Sequence, residues 1–174
     1  MKSVPGDRRF VFVLAAAWLL FIAAVYLPDL GRGFVRDDFA WIEAGRTILN
    51  RPLNAIVPDA PGFYRPLVSL SFAADFALHG LAPRAYGWSN LALFLGCAIA
   101  LWRLSRRVGL SAGGASVAVL AWSANPHGIN MALVWLSGRT ALCLTFFAIL
   151  AATAVLQRRY VCTAAALAAA LASK

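Results

Sequence analysis

Four stretches of this sequence, 10–30, 86–104, 110–124 and 140–156, run almost without charge, and a fifth begins at residue 160. A segment of ~20 apolar residues matches the hydrocarbon thickness of a bilayer when it is helical. The helix is then forced, because lipid offers no partner for a backbone N–H or C=O. The composition agrees: 61% of the residues are apolar and 13% charged, where soluble domains stand near half and a quarter. The expected fold is therefore all-α, a polytopic transmembrane helix bundle of about four or five spans. Such spans and their connections consume the 174 residues and leave no room for a separate soluble domain of ordinary size.

The formal charge of +9 is concentrated beside the apolar runs. Lys2, Arg8 and Arg9 precede the first, Arg103, Arg106 and Arg107 close the second, and Arg158 and Arg159 close the fourth. Basic clusters flanking spans mark the cytoplasmic side, and with the N-terminus inside all three clusters fall there together. A nucleic-acid face would need basic residues interleaved with exposed aromatics on a polar scaffold, and no such stretch exists. The first run exceeds a signal-peptide core and has no small-x-small cleavage site before Pro28 and Asp29, so it reads as an uncleaved span. The organisation expected is one transmembrane unit over 1–174: the first span at 10–30, an extracytoplasmic loop at 31–85 with short interfacial helices, and the remaining spans in 86–174.

Within the loop, Phe39, Ile42, Arg46 and Leu49 recur at helical spacing, which predicts a short helix over 37–49. A second is expected over 66–79, opened by Pro66, ended by Gly80 and lying near the outer interface. An amphipathic piece over 127–138 should lead into the span at 140–156. Gly109 and Gly113 are spaced for close helix approach. The cysteines Cys97, Cys143 and Cys162 lie far apart inside apolar runs, without metal or disulfide spacing, and read as small packing residues.

Six of the seven acidic residues lie between Asp29 and Asp75. The pair Asp37-Asp38 follows the first span closely, at the outer membrane surface. Adjacent carboxylates repel, which favours a proton on one of them. Such a group can take a proton from an attacking hydroxyl or help hold a divalent cation. The plainer alternative is a solvated helix start favoured by the N-terminal dipole. Arg65, at a helix start, and Arg139, at the outer end of a span, can each hold a phosphate bidentately or snorkel to headgroups. Helical spacing also allows a Trp135–Arg139 cation–π pair. Asp75 and His79, four apart, form either a proton relay or a self-satisfied pair. His127, after Asn125-Pro126, sits at an outer break where it touches a ligand or caps a turn. No metal-ligand set is recognisable.

Several segments together resemble a known family. They are Phe34-Val35-Arg36-Asp37-Asp38-Phe39, Tyr64-Arg65-Pro66-Leu67, Gly80-Leu81-Ala82-Pro83, Tyr86-Gly87-Trp88-Ser89-Asn90-Leu91, Asn125-Pro126-His127, Trp135-Leu136-Ser137-Gly138-Arg139 and the closing Ser173-Lys174. In this order, behind a basic N-terminus and one span, they resemble the N-terminal part of polytopic GT-C glycosyltransferases. The protein O-mannosyltransferase-like branch and the membrane proteins with tetratricopeptide repeats are most similar. The resemblance implies a bacterial inner-membrane protein that transfers a hexose such as mannose from a polyprenyl-phosphate donor to a hydroxyl acceptor on the outer face, with inversion. Asp37 or Asp38 would be the base, and Arg65, Arg139 and His127 would serve the substrate phosphate; no cofactor is implied, although a divalent cation remains open. Two positions depart from the family pattern, Asn125 where His is frequent and Ser89 where a His often precedes the Asn. Family members carry further spans, and the fifth apolar run is still in progress at Lys174, so the chain is expected to be part of a longer protein. A transporter or lipid-handling protein with Asp75 and Arg139 on its pathway is the second reading. A non-catalytic membrane scaffold is the third.

Overall fold

The computed structural model describes residues 5–55, 64–124 and 131–174. Every regular element among them is helical: α1 (Pro5–Tyr26), α2 (Asp37–Asn50), α3 (Pro66–His79), α4 (Pro83–Arg107), α5 (Ala112–Ser123), the single turn α6 (Met131–Val134), α7 (Arg139–Leu156) and α8 (Tyr160–Leu171). Short 3-10 turns follow α1 at Leu27–Asp29, follow α2 at Pro52–Ala55 and precede α7 at Leu136–Gly138. Three stretches, Arg9–Asp29, Pro83–Arg107 and Leu136–Leu156, are long and apolar enough to cross a membrane. α5 and α8 are apolar but shorter.

Proline and serine set the starts. Pro66 and Pro83 occupy first-turn positions of α3 and α4, where a missing N–H costs nothing. Ser111 caps α5 by accepting a hydrogen bond from Gly114 N–H at 3.0 Å. Gly109 lies in the turn before α5 with φ +100° and open space around it. The expected Gly109–Gly113 approach face is therefore not formed, because Gly109 belongs to no helix. Gly45 supplies a close approach instead: a Cβ there would come within 2.7 Å of the Ala73 backbone nitrogen, so α2 and α3 cross nearly backbone to backbone.

α4 and α7 run parallel, both from the end that holds Asn90 and Arg139 to the end that holds Arg107 and Gln157, and α5 and α8 run the opposite way. α4 lies between α5 and α7, α1 rests against α5, and α8 folds back along α7. Trp18, Phe94 and Trp122 stack across α1, α4 and α5, with centroids 6.2 and 5.1 Å apart. Trp18 Nε1 also donates to Ser123 Oγ at 2.7 Å. One end of the bundle carries α2 and α3 and the carboxylates Asp29, Asp37, Asp38, Glu43 and Asp75. The other carries Arg103, Arg106, Arg107, Arg158 and Arg159. α8 starts at the arginine end and finishes at the carboxylate end, where Leu67 N–H donates to the Ala172 carbonyl at 3.2 Å.

The outward face is oily. Phe12 is 75% exposed and Val161 83% exposed, and similar side chains line α1 and α8. Water would oppose a surface of that extent, whereas acyl chains would cover it. Cys97 and Cys143 are buried as packing residues, while Cys162 is exposed.

Candidate functional site

The start of α2 is set by an unusual residue. Arg36 has φ 43° and ψ −105°, a conformation that costs a non-glycine residue roughly 1–3 kcal/mol. It turns the chain sharply just before the acidic pair, and the pair splits. Asp37 faces solvent. Asp38 is 1% exposed. Its Oδ2 accepts from Val35 N–H at 2.8 Å, and its Oδ1 accepts from Ser137 N–H at 2.8 Å and from Ser137 Oγ. A buried carboxylate needs such donors. These join the first loop to the turn before α7, 99 residues on. The two carboxylates thus share no site: Asp38 anchors and Asp37 is presented.

Ser137 belongs to a turn with its own constraint. A Cβ on Gly138 would lie 2.5 Å from Ala132 Cα, so only glycine lets α6 pass this turn. The turn hands over to Arg139, 2% exposed at the start of α7. Its Nε donates to Asn90 Oδ1 at 2.6 Å, its Nη1 to Ser71 Oγ at 3.3 Å and its Nη2 to the Tyr86 carbonyl at 3.1 Å. Nη2 also lies 2.6 Å from Asp75 Oδ2, an ion pair rather than an aligned hydrogen bond. The guanidinium carbon sits 4.3 Å from the Phe72 ring centroid.

Two local pairings expected from spacing give way to this arrangement. The helix does not continue from Trp135 through Gly138, and Arg139 stacks on Phe72 instead of Trp135. Asp75 turns to Arg139 and to Ser89 Oγ, which donates to Oδ1 at 2.7 Å, while His79 is exposed. Asn90 completes the network, its Nδ2 donating to the carbonyls of Ala132 at 2.7 Å and Leu136 at 3.1 Å. α3, α4, the 136–138 turn and α7 are thus fastened through side chains with nearly all their hydrogen-bonding capacity met. Beside Asp75 and Arg139 opens a cavity of about 390 Å³, with Ser71 and Ser89 at its polar end and Leu93 and Phe146 along its wall.

Arg65 stands just before α3. Its Nε donates to the Lys174 carbonyl at 2.5 Å, and its guanidinium carbon is 5.8 Å from the Trp41 ring centroid. Trp41 lies four residues beyond Asp37, on the same face of α2. The structure therefore places Arg65 against α2 one turn after Asp37, and keeps Arg139 in the interior. His127 lies outside the described residues. Among the described residues, no three His, Cys, Asp or Glu side chains gather as metal ligands.

Ser71, Ser89, Asn90 and Ser137 are not among the candidate site residues the sequence offers, Ser89 entering only as a departure from the family pattern. Three of them lie within the segments Tyr86–Leu91 and Trp135–Arg139 quoted above for the resemblance, which is the signal that was available. Comparison with family models, with curated proteins and with solved structures finds no match to this chain.

Proposed function

We propose that this chain is the N-terminal part of a GT-C-type membrane glycosyltransferase in which Asp37 is the catalytic base. The chain crosses the membrane four or five times, with α5 as one crossing and α8 as a further one. The N-terminus is cytoplasmic and the carboxylate end lies outside, in a bacterial inner membrane. Asp37 accepts the proton of an acceptor hydroxyl as the oxygen attacks the anomeric carbon of a polyprenyl-phosphate-linked sugar. The bond from that carbon to the phosphate oxygen breaks, and the lipid phosphate leaves with the bonding electrons. Arg65, which packs against Trp41 one turn along α2 from Asp37, is the cation assigned to the departing phosphate, because Arg139 is only 2% exposed in the interior.

The observation that carries this reading is the division of labour within the acidic pair. Asp38 is locked into the interior by three donors, and it holds the neighbouring exposed carboxylate on a fixed platform. Of the segments that carry the resemblance, those within the described residues also lie at this end of the bundle. In the full-length protein, Asp37→Asn should cut sugar transfer from a polyprenyl-phosphate donor by about 10²–10⁴-fold and move stability by less than about 0.5 kcal/mol. Asp38→Asn should instead destabilise by about 1–3 kcal/mol. Undiminished transfer by the Asp37 variant would remove that residue from the chemistry.

A second reading, a transporter or lipid-handling protein, is favoured by the buried Asp75–Arg139 pair on the 390 Å³ cavity. Solute flux in proteoliposomes that is lost with Asp75→Asn and untouched by Asp37→Asn would select it.

A further inference from the structure

At the arginine end, α4 and α7 part around a groove of about 280 Å³. Its walls are Ile99, Phe146 and Leu150, and its mouth is formed by Arg103 and Arg107. The three arginines that close α4 are not alike. Arg106 turns away: its Nη1 donates to the Leu110 carbonyl at 2.7 Å, and its guanidinium carbon lies 5.9 Å from the Trp102 ring centroid. Arg107 is steadied by Gln157, whose amide oxygen, turned toward it, accepts from Nε at 3.1 Å and Nη2 at 3.0 Å. Arg103, one turn earlier on the same face, is exposed and has no ion-pair or hydrogen-bond partner among the described residues. No arginine of this end is paired with a carboxylate among the described residues.

We infer that this groove binds an anionic phospholipid, its phosphate between Arg103 and Arg107 and an acyl chain against Ile99, Phe146 and Leu150. Two guanidinium groups one turn apart present donors to a phosphodiester at the depth where snorkelled arginines meet headgroups. Below them the groove is apolar, which suits a chain and excludes a free ion. Gly96 forms its floor: a Cβ there would rest in ordinary contact, 3.5 Å from the Phe146 ring, so a longer side chain would project into the groove. The charge balance picks the ligand. This mouth carries unpaired positive charge, whereas the cavity at the other end is electrically neutral because Asp75 offsets Arg139. The inference requires only that α4 and α7 cross a bilayer, and it is independent of the proposed transferase activity.

The test uses the full-length protein, reconstituted with phosphatidylcholine and phosphatidylglycerol, then stripped in detergent and examined by native mass spectrometry. Wild type should retain phosphatidylglycerol in preference to phosphatidylcholine. Arg103→Gln with Arg107→Gln should reduce retention about tenfold or more. Arg158→Gln with Arg159→Gln, which removes the same charge away from the groove, should leave it within about twofold. Gly96→Leu should lower retention at constant charge, and decides the matter if the double arginine variant fails to fold. Soluble glycerol 3-phosphate should not displace the lipid. Equal losses in the two double variants would overturn the inference in favour of diffuse surface attraction. Displacement by glycerol 3-phosphate would make this a free-phosphate site, and no retained lipid in wild type would mean that the groove is filled otherwise.

Discussion

The two ends of the bundle handle charge in opposite ways. At the carboxylate end, Asp38, Asp75 and Arg139 are each at most 6% exposed, and each is held by donors or acceptors from distant elements. At the arginine end, Arg103, Arg106, Arg107, Arg158 and Arg159 are all exposed. Their contacts are local caps, a single aromatic ring and one amide. Burial makes each polar partner at the first end indispensable, since an orphaned charge in a low-dielectric interior has nowhere to turn. Exposure at the second end makes each arginine replaceable as a structural group, with charge as its main contribution. One end specifies the fold; the other contributes charge.

The sharpest way to break this contrast is at Arg139. Arg139→Ala should cost about 3–5 kcal/mol, because it leaves Asp75 buried and unpaired and empties acceptors on Asn90 and Tyr86. Thermal unfolding in detergent or nanodiscs reads the loss. Adding Asp75→Asn should restore part of it, because the second change removes the stranded charge. If the double variant is no more stable than Arg139→Ala, the ion pair is not what binds α3 to α7. Next in size is Gly138→Ala. Its Cβ would meet the α6 backbone at 2.5 Å and push apart the turn that carries Ser137 and Arg139, at about 1–3 kcal/mol. Trp18→Phe removes the bond to Ser123 but keeps the aromatic stack, and should cost about 0.5–1.5 kcal/mol.

Much of the scaffold is legible in the sequence, because helices in lipid announce themselves by apolar length. The expected helix at 66–79 is found as α3, and that at 37–49 as α2, extended by one residue to Asn50. The runs at 10–30, 86–104 and 140–156 correspond to the three long apolar helices. The site was legible only in outline. Asp37 and Asp38 are adjacent in the chain and look equivalent, and only the turn at Arg36 sends them to opposite environments. Asp75 has His79 one turn away, yet it pairs with Arg139, 64 residues on in the sequence. Local spacing predicts local partners, and a buried charge takes whichever distant partner the tertiary fold delivers. The Trp135–Arg139 expectation failed for a related reason: the tight 3-10 turn imposed by Gly138 against Ala132 interrupts the helical period that would have aligned them.

The smallest effect, and the one that sharpens the comparison from the other side, is expected at Arg158. This residue turns α7 into α8 with φ 56°, in the left-handed region that side chains avoid and glycine accepts. The side chain does nothing to offset the strain: it is exposed, with no ion pair among the described residues. Arg158→Gly should therefore leave thermal stability unchanged or raise it by up to about 1 kcal/mol, the reverse of any change at Arg139. Its effect should appear instead in orientation, as a small fraction of inverted molecules when a tag on the α7–α8 turn is probed for accessibility from each side of the membrane. A clear loss of stability would mean that the arginine end, like the carboxylate end, depends on specific contacts, and the contrast between the two ends would fall.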